Sequence, residues 1–355
     1  MHRELVTAET DLGVQLLELS AASDRTEQRI SDVRRSVARS LYESMGDAAV
    51  ASSELDILAF GSIARHEMAP GSDFDYLVVA HQLGPDPATI HHYRRAANTA
   101  LAELDAEPPG SSGLFGAVVP SASFVTTIGL NEDTNLNLSR RILLLEESLP
   151  LTEPNRHRVL VTSILNRYLY DYRSRSGPLV PRFLLNDVVR FWRTVAVDYQ
   201  AKRWEEMEGE KWGLRYIKLR SSRKLTYAST LASLFMPVIA QIDTTANYLS
   251  ELFRIPALGR LAQLGTYTGA KTSGALREVL ALADRFVGWL ADEEFRKEVS
   301  AVQDPLSSPP GSVFCTARDA TVDLQRALES LFFSDEPLRE RDFSLGSLSR
   351  KYLGF

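Results

Sequence analysis

Gly61-Ser62-Ile63-Ala64-Arg65-His66-Glu67-Met68-Ala69-Pro70-Gly71-Ser72-Asp73-Phe74-Asp75 is the stretch on which fold and chemistry both turn. Before it, Leu55-Asp56-Ile57-Leu58-Ala59-Phe60 reads as a strand, and after its polar turn Phe74-Asp75-Tyr76-Leu77-Val78-Val79 reads as a second one, rich in β-formers. Asp73 and Asp75 are separated by one residue, and residues two apart on a strand point to the same face. The spacing therefore predicts two carboxylates converging on one point, with Phe74 turned toward the core. Two such carboxylates repel each other unless a cation neutralises them. Their hard oxygens suit magnesium, which shares its shell with water and substrate phosphates. Gly61 lets the backbone approach an anion closely, and the Ser62 hydroxyl and the following amides can point at a phosphate. The expected site is thus a phosphate cradle at the end of one strand and a metal clamp on the next. The plain alternative has Asp73 capping a turn and Asp75 as a surface strand residue, with no ligand.

Outward from this segment, Ile30, Val33, Val37, Leu41 and Met45 recur at helical spacing and predict an amphipathic helix over about 24–45. A helix is expected over about 88–104, a flexible turn over 108–113 and a third short strand over 123–129. From Thr134 the pattern is helical again, with Leu138, Ile142, Leu145 and Leu149 on one face. The remainder reads as helices over 153–173, 182–208, 222–234, 242–253, 274–295 and 317–332, with a short docked tail over 342–355. The reading is an α/β (α+β) core with a small mixed sheet over residues 1–150, followed by an all-α domain over 151–355, the boundary near Pro150 to Pro154.

A formal net charge of −6 excludes a wholly basic nucleic-acid coat, while allowing a local basic patch. Cys315 is the lone cysteine, which excludes an internal disulfide or a cysteine-rich zinc site; as a free thiol it reads as a small buried hydrophobe. The first twenty residues lack the layout of a signal peptide, and no apolar run approaches the roughly 20 residues of a membrane helix. A cytoplasmic protein without membrane association is the expectation.

The segment resembles the signature of the DNA polymerase beta nucleotidyltransferase superfamily: Gly-Ser, a spacer of about ten residues, then Asp-x-Asp on a strand. Gly61-Ser62-x-x-Arg65-x-Glu67 with Ser72-Asp73 is most similar to two bacterial branches, the uridylyltransferases of nitrogen regulation with their helical-domain relatives, and the aminoglycoside nucleotidyltransferases. The motif covers roughly residues 50–80, and a weaker likeness to the first branch runs through Asp133–Leu149 and the helical half.

The resemblance implies magnesium held by Asp73 and Asp75 and a nucleoside triphosphate such as ATP bound through Gly61, Ser62 and Ser72. Arg65 has two readings, contact with the triphosphate or an ion pair with Glu67 that braces the loop, and the brace is favoured. His66 is expected to be exposed and is given no role. The superfamily often adds a third acid on a later strand as general base. The matching strand here carries none, and Asp133 is the nearest candidate, alternatively the cap of the helix beginning at Thr134.

In the helical half, Asn186, Asp187, Arg190, Arg193, Thr194 and Asp198 make a polar stripe at helical spacing. The run Lys211–Lys224 holds six cations and no acid. Arg190, Arg193 and Lys218 are the candidates there for holding a triphosphate or an anionic acceptor. The bland readings are internal pairs of Asp187 with Arg190 and Asp198 with Lys202, a solvated basic face, and Trp212 and Tyr216 as core anchors. The expected reaction joins a nucleoside monophosphate to an acceptor hydroxyl and releases pyrophosphate. The acceptor is a protein side chain or an RNA such as tRNA, in a toxin or a regulator. The alternatives are a small-molecule acceptor of the aminoglycoside type and a non-catalytic nucleotide sensor.

Overall fold

The computed structural model describes residues 1–82, 84–104, 106, 113–172, 175–205, 211–303 and 308–354. It is mostly helical with one small mixed sheet. In chain order it runs α1 (Arg3–Leu12), α2 (Leu17–Met45), α3 (Asp47–Ser52), β1 (Leu55–Phe60), β2 (Asp75–Ala80), α4 (Pro87–Glu103), β3 (Val118–Pro120) and α5 (Ser121–Val125). There follow α6 (Asn135–Glu146), β4 (Ser148–Pro150), α7 (Pro154–Tyr168), α8 (Arg182–Glu205), α9 (Trp212–Lys218), α10 (Lys224–Ala240) and α11 (Ala246–Phe253). The last are α12 (Ala257–Ala262), α13 (Ala270–Ala291), α14 (Glu293–Ser300), α15 (Val313–Phe332) and α16 (Leu345–Leu353).

Two compact units divide the chain elsewhere than at the expected boundary near residue 150. One holds Met1–Ala21, Arg175–Thr244 and Ile255–Phe355; the other, which contains the sheet, holds Ala22–Ser174 and Thr245–Arg254. In the sheet unit the strand order is β3-β2-β1-β4. β1 and β2 pair antiparallel over six residues, from Leu55 opposite Ala80 to Phe60 opposite Asp75. β4 is antiparallel to β1, and β3 is parallel to β2. Leu55, Ile57 and Ala59 of β1 and Tyr76, Val78 and Ala80 of β2 share one face. They join Ile30, Val33, Val37 and Leu41 of α2 and Tyr93, Ala96, Ala97 and Ala100 of α4 in a single core. Leu58, Phe60, Leu77 and Val79 on the other face are equally buried. A strand buried on both faces reads as a continuous apolar run rather than an alternating one, as β1 and β2 do.

Local signals explain the ends of several helices. Asp86 caps α4 by accepting from the Thr89 amide at 3.0 Å, and Pro87 opens the helix. Thr134 caps α6 through the Asn137 amide at 3.2 Å. The expected third strand over 123–129 is instead α5 and a turn, and the strand lies just before it, at Val118–Pro120. Thr126 and Thr127 are β-branched, which favours strands on average. Their hydroxyls instead donate back to the carbonyls of Ala122 and Ser123 at 2.9 and 2.8 Å, which suits a helical turn. Leu149, expected on a helix face, belongs to β4, because α6 ends at Glu146. The expected turn over 108–113 lies almost wholly outside the described residues, as do the last residues expected for the 182–208 helix.

In the other unit, α9, a π-helical turn over Leu219–Arg223 and α10 follow one another from Trp212 to Ala240. The expected helix over 222–234 is thus the middle of a longer helical stretch. α10 is buried along almost its whole length. The expected single helix over 274–295 is two, because Asp292 takes an extended conformation and caps α14 through the amides of Glu294 and Phe295. Among the described residues, no helix is long and apolar enough to cross a membrane.

One polar residue is sunk into the sheet. Asp56, on β1, is buried and receives the Arg156 guanidinium at 2.8 to 3.2 Å, the His81 Nε2 at 2.8 Å and the Thr152 hydroxyl at 3.2 Å. Burial works against its charge, but His81 and Arg156 outweigh it and hold the carboxyl below its ordinary value of 3.8. A depressed carboxyl contributes stability above its unfolded pKa and loses that contribution as pH falls through the folded one. Asp56→Asn is expected to cost roughly 2 kcal/mol at neutral pH, the scale of hydrogen bonds to a charged group whose partner stays partly solvated. Urea denaturation across pH checks this: the gap from the parent should shrink as pH falls below 3.8, and a gap independent of pH would contradict it.

Candidate active site

The register of β1 and β2 brings the two halves of the motif to one end of the sheet. Phe60, the last residue of β1, lies opposite Asp75, the first residue of β2. Gly61 follows at once with φ of 78°, a left-handed conformation that only glycine adopts freely, and a Cβ there would meet nothing within 4 Å. The chain then coils into a turn closed by Arg65 N–H to Gly61 O at 3.0 Å, His66 N–H to Ile63 O at 3.3 Å and Glu67 N–H to Ser62 O at 2.9 Å. Among the described residues, none of the bonds closing this turn uses the amides of Ser62, Ile63 or Ala64. Ser62 is partly exposed.

Asp73 is not on the strand. β2 begins at Asp75, so Asp73 lies two residues before it and is exposed, while Asp75 is half-buried. The strand geometry that predicted a common face for the two carboxylates therefore applies to Asp75 alone. Phe74 between them is 1% exposed and packs into the core with its ring 6.4 Å from that of Tyr76, as expected.

The loop joining these parts is pinned at four points. Arg65 is buried; its Nε donates to Glu67 at 2.9 Å and its other guanidinium arm to Glu147, the residue closing α6. Burial alone would lower the Arg65 pKa, but Glu147 and Glu67 together raise it well above its ordinary value. Arg65 is thus a brace, and this geometry argues against its contacting a triphosphate. His66, expected to be exposed, is partly buried with φ of 60°, and its Nδ1 lies 3.2 Å from a Glu27 carboxylate oxygen on α2. The Met68 amide donates to Thr26 of α2 at 3.0 Å. Ser72 closes the turn on Ala69, its hydroxyl accepting from the Ala69 amide at 3.0 Å. Ile63, Met68 and Phe74 belong to the core beneath. Sequence reading missed Glu147, whose role depends on a contact 82 residues away.

Asp133 is not the cap of α6. The cap of α6 is Thr134, and both Asp133 oxygens are taken by the Arg141 guanidinium at 2.9 and 2.8 Å, with neither partner more than 8% exposed. Arg141 also donates to the Tyr168 hydroxyl at 2.7 Å. Both carboxylate oxygens are therefore engaged by a buried guanidinium rather than presented to the Gly61–Asp75 turn.

The helical-half candidates belong to the other compact unit. Arg190, Arg193 and Lys218 are exposed there. Trp212 is a core anchor, stacked on Tyr216 with centroids 5.1 Å apart and lying against Phe314. Cys315 is buried, as a small hydrophobe would be. The Lys202 side chain lies outside the described residues.

The brace is testable. Arg65→Met removes the guanidinium shared by the Glu67 and Glu147 carboxylates and is expected to cost about 3–5 kcal/mol in chemical denaturation, with Arg65→Lys recovering only part. A loss below about 1 kcal/mol for Arg65→Met would show that the pair is solvated. No family model and no curated protein matches this chain, so the case for its chemistry rests on these residues and their geometry.

Proposed function

We propose that the chain is a nucleotidyltransferase whose active site is the Gly61–Ser62 turn together with Asp73 and Asp75. The observation that carries the reading is the pairing of Phe60 with Asp75, which sets a positive-φ glycine turn with open space at Gly61 beside an acidic strand start. A phosphate cradle and a pair of hard oxygen ligands are the parts that triphosphate chemistry requires.

In this reading Asp73 and Asp75 hold magnesium, and the Gly61–Ser62 turn and the Ser62 hydroxyl hold the triphosphate. The bound ion would neutralise phosphate charge and favour attack on the α-phosphate. An acceptor hydroxyl forms the new bond to that phosphorus, its proton passing to water or to a group of the substrate, and pyrophosphate leaves. Because Asp133 is occupied by Arg141, we assign the general base to no residue of the sheet unit. Ser72 shapes the loop in this reading. Arg190, Arg193 and Lys218 are proposed as contacts to an anionic acceptor, an RNA or a protein.

A second reading has its own support. The engagement of Asp133 by Arg141 removes the sheet unit's candidate third acid, which fits a nucleotide sensor that binds without turnover.

The full chain incubated with magnesium, cell extract and each of four α-labelled nucleoside triphosphates separates the two. Transfer of label to protein or RNA is expected, with Asp73→Asn and Asp75→Asn each lowering it by about a hundredfold or more, the upper end of what even outer-shell losses cost. Binding of the triphosphate without transfer supports the sensor. No transfer from any of the four, or full transfer by Asp73→Asn, sinks the enzyme reading.

A further inference from the structure

The sheet unit contains a second candidate site, on residues that the motif does not include. A cavity of about 290 Å³ opens between α2, α6, β4, α7 and α11. Arg34, Arg158 and Arg254 line it, and among the described residues its lining holds no aspartate or glutamate. Each guanidinium has donors to spare. Arg34 gives one to the Pro150 carbonyl at 2.9 Å, and Arg158 gives one to Asn155 at 3.4 Å. Arg254 spends one arm on Glu251, which is outside the lining.

Ser148, Asn155, His157 and Ser250 add uncharged polar groups to the lining, and two of them are joined to each other. Ser148 of β4 donates its single proton to the Leu144 carbonyl at 2.6 Å, so the 2.7 Å contact between its oxygen and His157 Nε2 has the imidazole as donor. His157 therefore carries its proton on Nε2 and keeps Nδ1 as an acceptor. Burial, helped by Arg254 and opposed by Asp56, pushes the imidazole pKa down to about 4, so the ring is neutral at physiological pH. The positive charge belongs to the three arginines, and the ring supplies hydrogen bonding. Leu144, Val161 and Phe253 complete the wall as an apolar surface.

We propose that this cavity binds a small organic phosphate, its phosphate on Arg34, Arg158 and Arg254 and its apolar body against Leu144, Val161 and Phe253. Three guanidinium forks suit a phosphate dianion better than a carboxylate, which brings one charge and two oxygens. An apolar wall with a few placed polar groups is the usual make-up of a small-molecule site, and the volume is at the small end of that range. The site shares no lining residue with the Gly61–Asp75 segment, so it stands whether or not nucleotidyl transfer occurs there.

Phenyl phosphate, inorganic phosphate and phenol, titrated calorimetrically into the full chain at low salt, test it. Phenyl phosphate should bind saturably at one site, with inorganic phosphate and phenol each at least about tenfold weaker, since each lacks one half of the contact. Arg158→Ala combined with Arg254→Ala should weaken phenyl phosphate by tenfold or more, as the loss of charge-assisted hydrogen bonds requires. Both arginines are exposed, so the variant should keep its fold, and an unchanged melting temperature verifies that. Asp73→Asn should bind phenyl phosphate as the parent does. The proposal is overturned by a titration without saturation, by an unchanged Kd in the double variant, by inorganic phosphate binding as tightly as phenyl phosphate, or by loss of binding in Asp73→Asn.

Discussion

The six-residue antiparallel pairing of β1 with β2 is the constraint on which the rest of the sheet unit depends. In an antiparallel pair the end of one strand meets the start of the next. A segment of fourteen residues, 61–74, must therefore leave the sheet and return within one strand's width. Left-handed Gly61 makes the exit, and core residues Ile63, Met68 and Phe74 hold the excursion down. The candidate site is what that excursion exposes: a turn with open space above Gly61, and a carboxylate on each side of Phe74.

Holding such a loop in one conformation requires that its polar groups be satisfied locally. The Arg65–Glu67–Glu147 cluster does this at the base of the turn and joins it to the end of α6. Glu147 is followed by Ser148, which enters β4 and pairs with Phe60, so the brace and the sheet reinforce each other. Asp133 with Arg141 and Asp56 with Arg156 repeat the device elsewhere in the unit, each a buried acid satisfied by an arginine from a neighbouring segment. Pairs of this kind add little net stability over apolar packing, but breaking one is costly, which favours a single arrangement of the chain. The same Ser148 lies in the arginine-lined cavity, so that pocket is built on the strand edge next to the brace.

The motif itself was legible in the sequence because its determinants are local. Glycine before a polar turn, apolar runs on either side and carboxylates at the return are properties of adjacent residues, and β1 and β2 fall within one residue of where those signals put them. The spacing of Ile30, Val33, Val37 and Leu41 likewise announced the helix that packs beneath. The segment over 123–129 misled because valine and threonine favour strands on average, while threonine hydroxyls can also satisfy a helical turn. Asp133 had two readings, a base or the cap of α6; the cap is Thr134, and the Arg141 guanidinium that takes the Asp133 oxygens is visible only in the packed structure.

Short-range sterics and periodicity thus placed β1, β2, the glycine turn and most of the helices, and showed which kinds of residue are available for chemistry, but they misplaced β3 and missed β4. Only the tertiary structure decided which charges are already spent. Arg65 is committed to Glu147 and Asp133 to Arg141, and Asp73 stands off the strand that begins at Asp75. Tertiary structure also created the arginine-lined cavity, which collects residues from 34 to 254. The physical reason is the same in each case. Hydrogen bonds and ion pairs are short-ranged in space but indifferent to distance along the chain, so their partners exist only once the chain has packed.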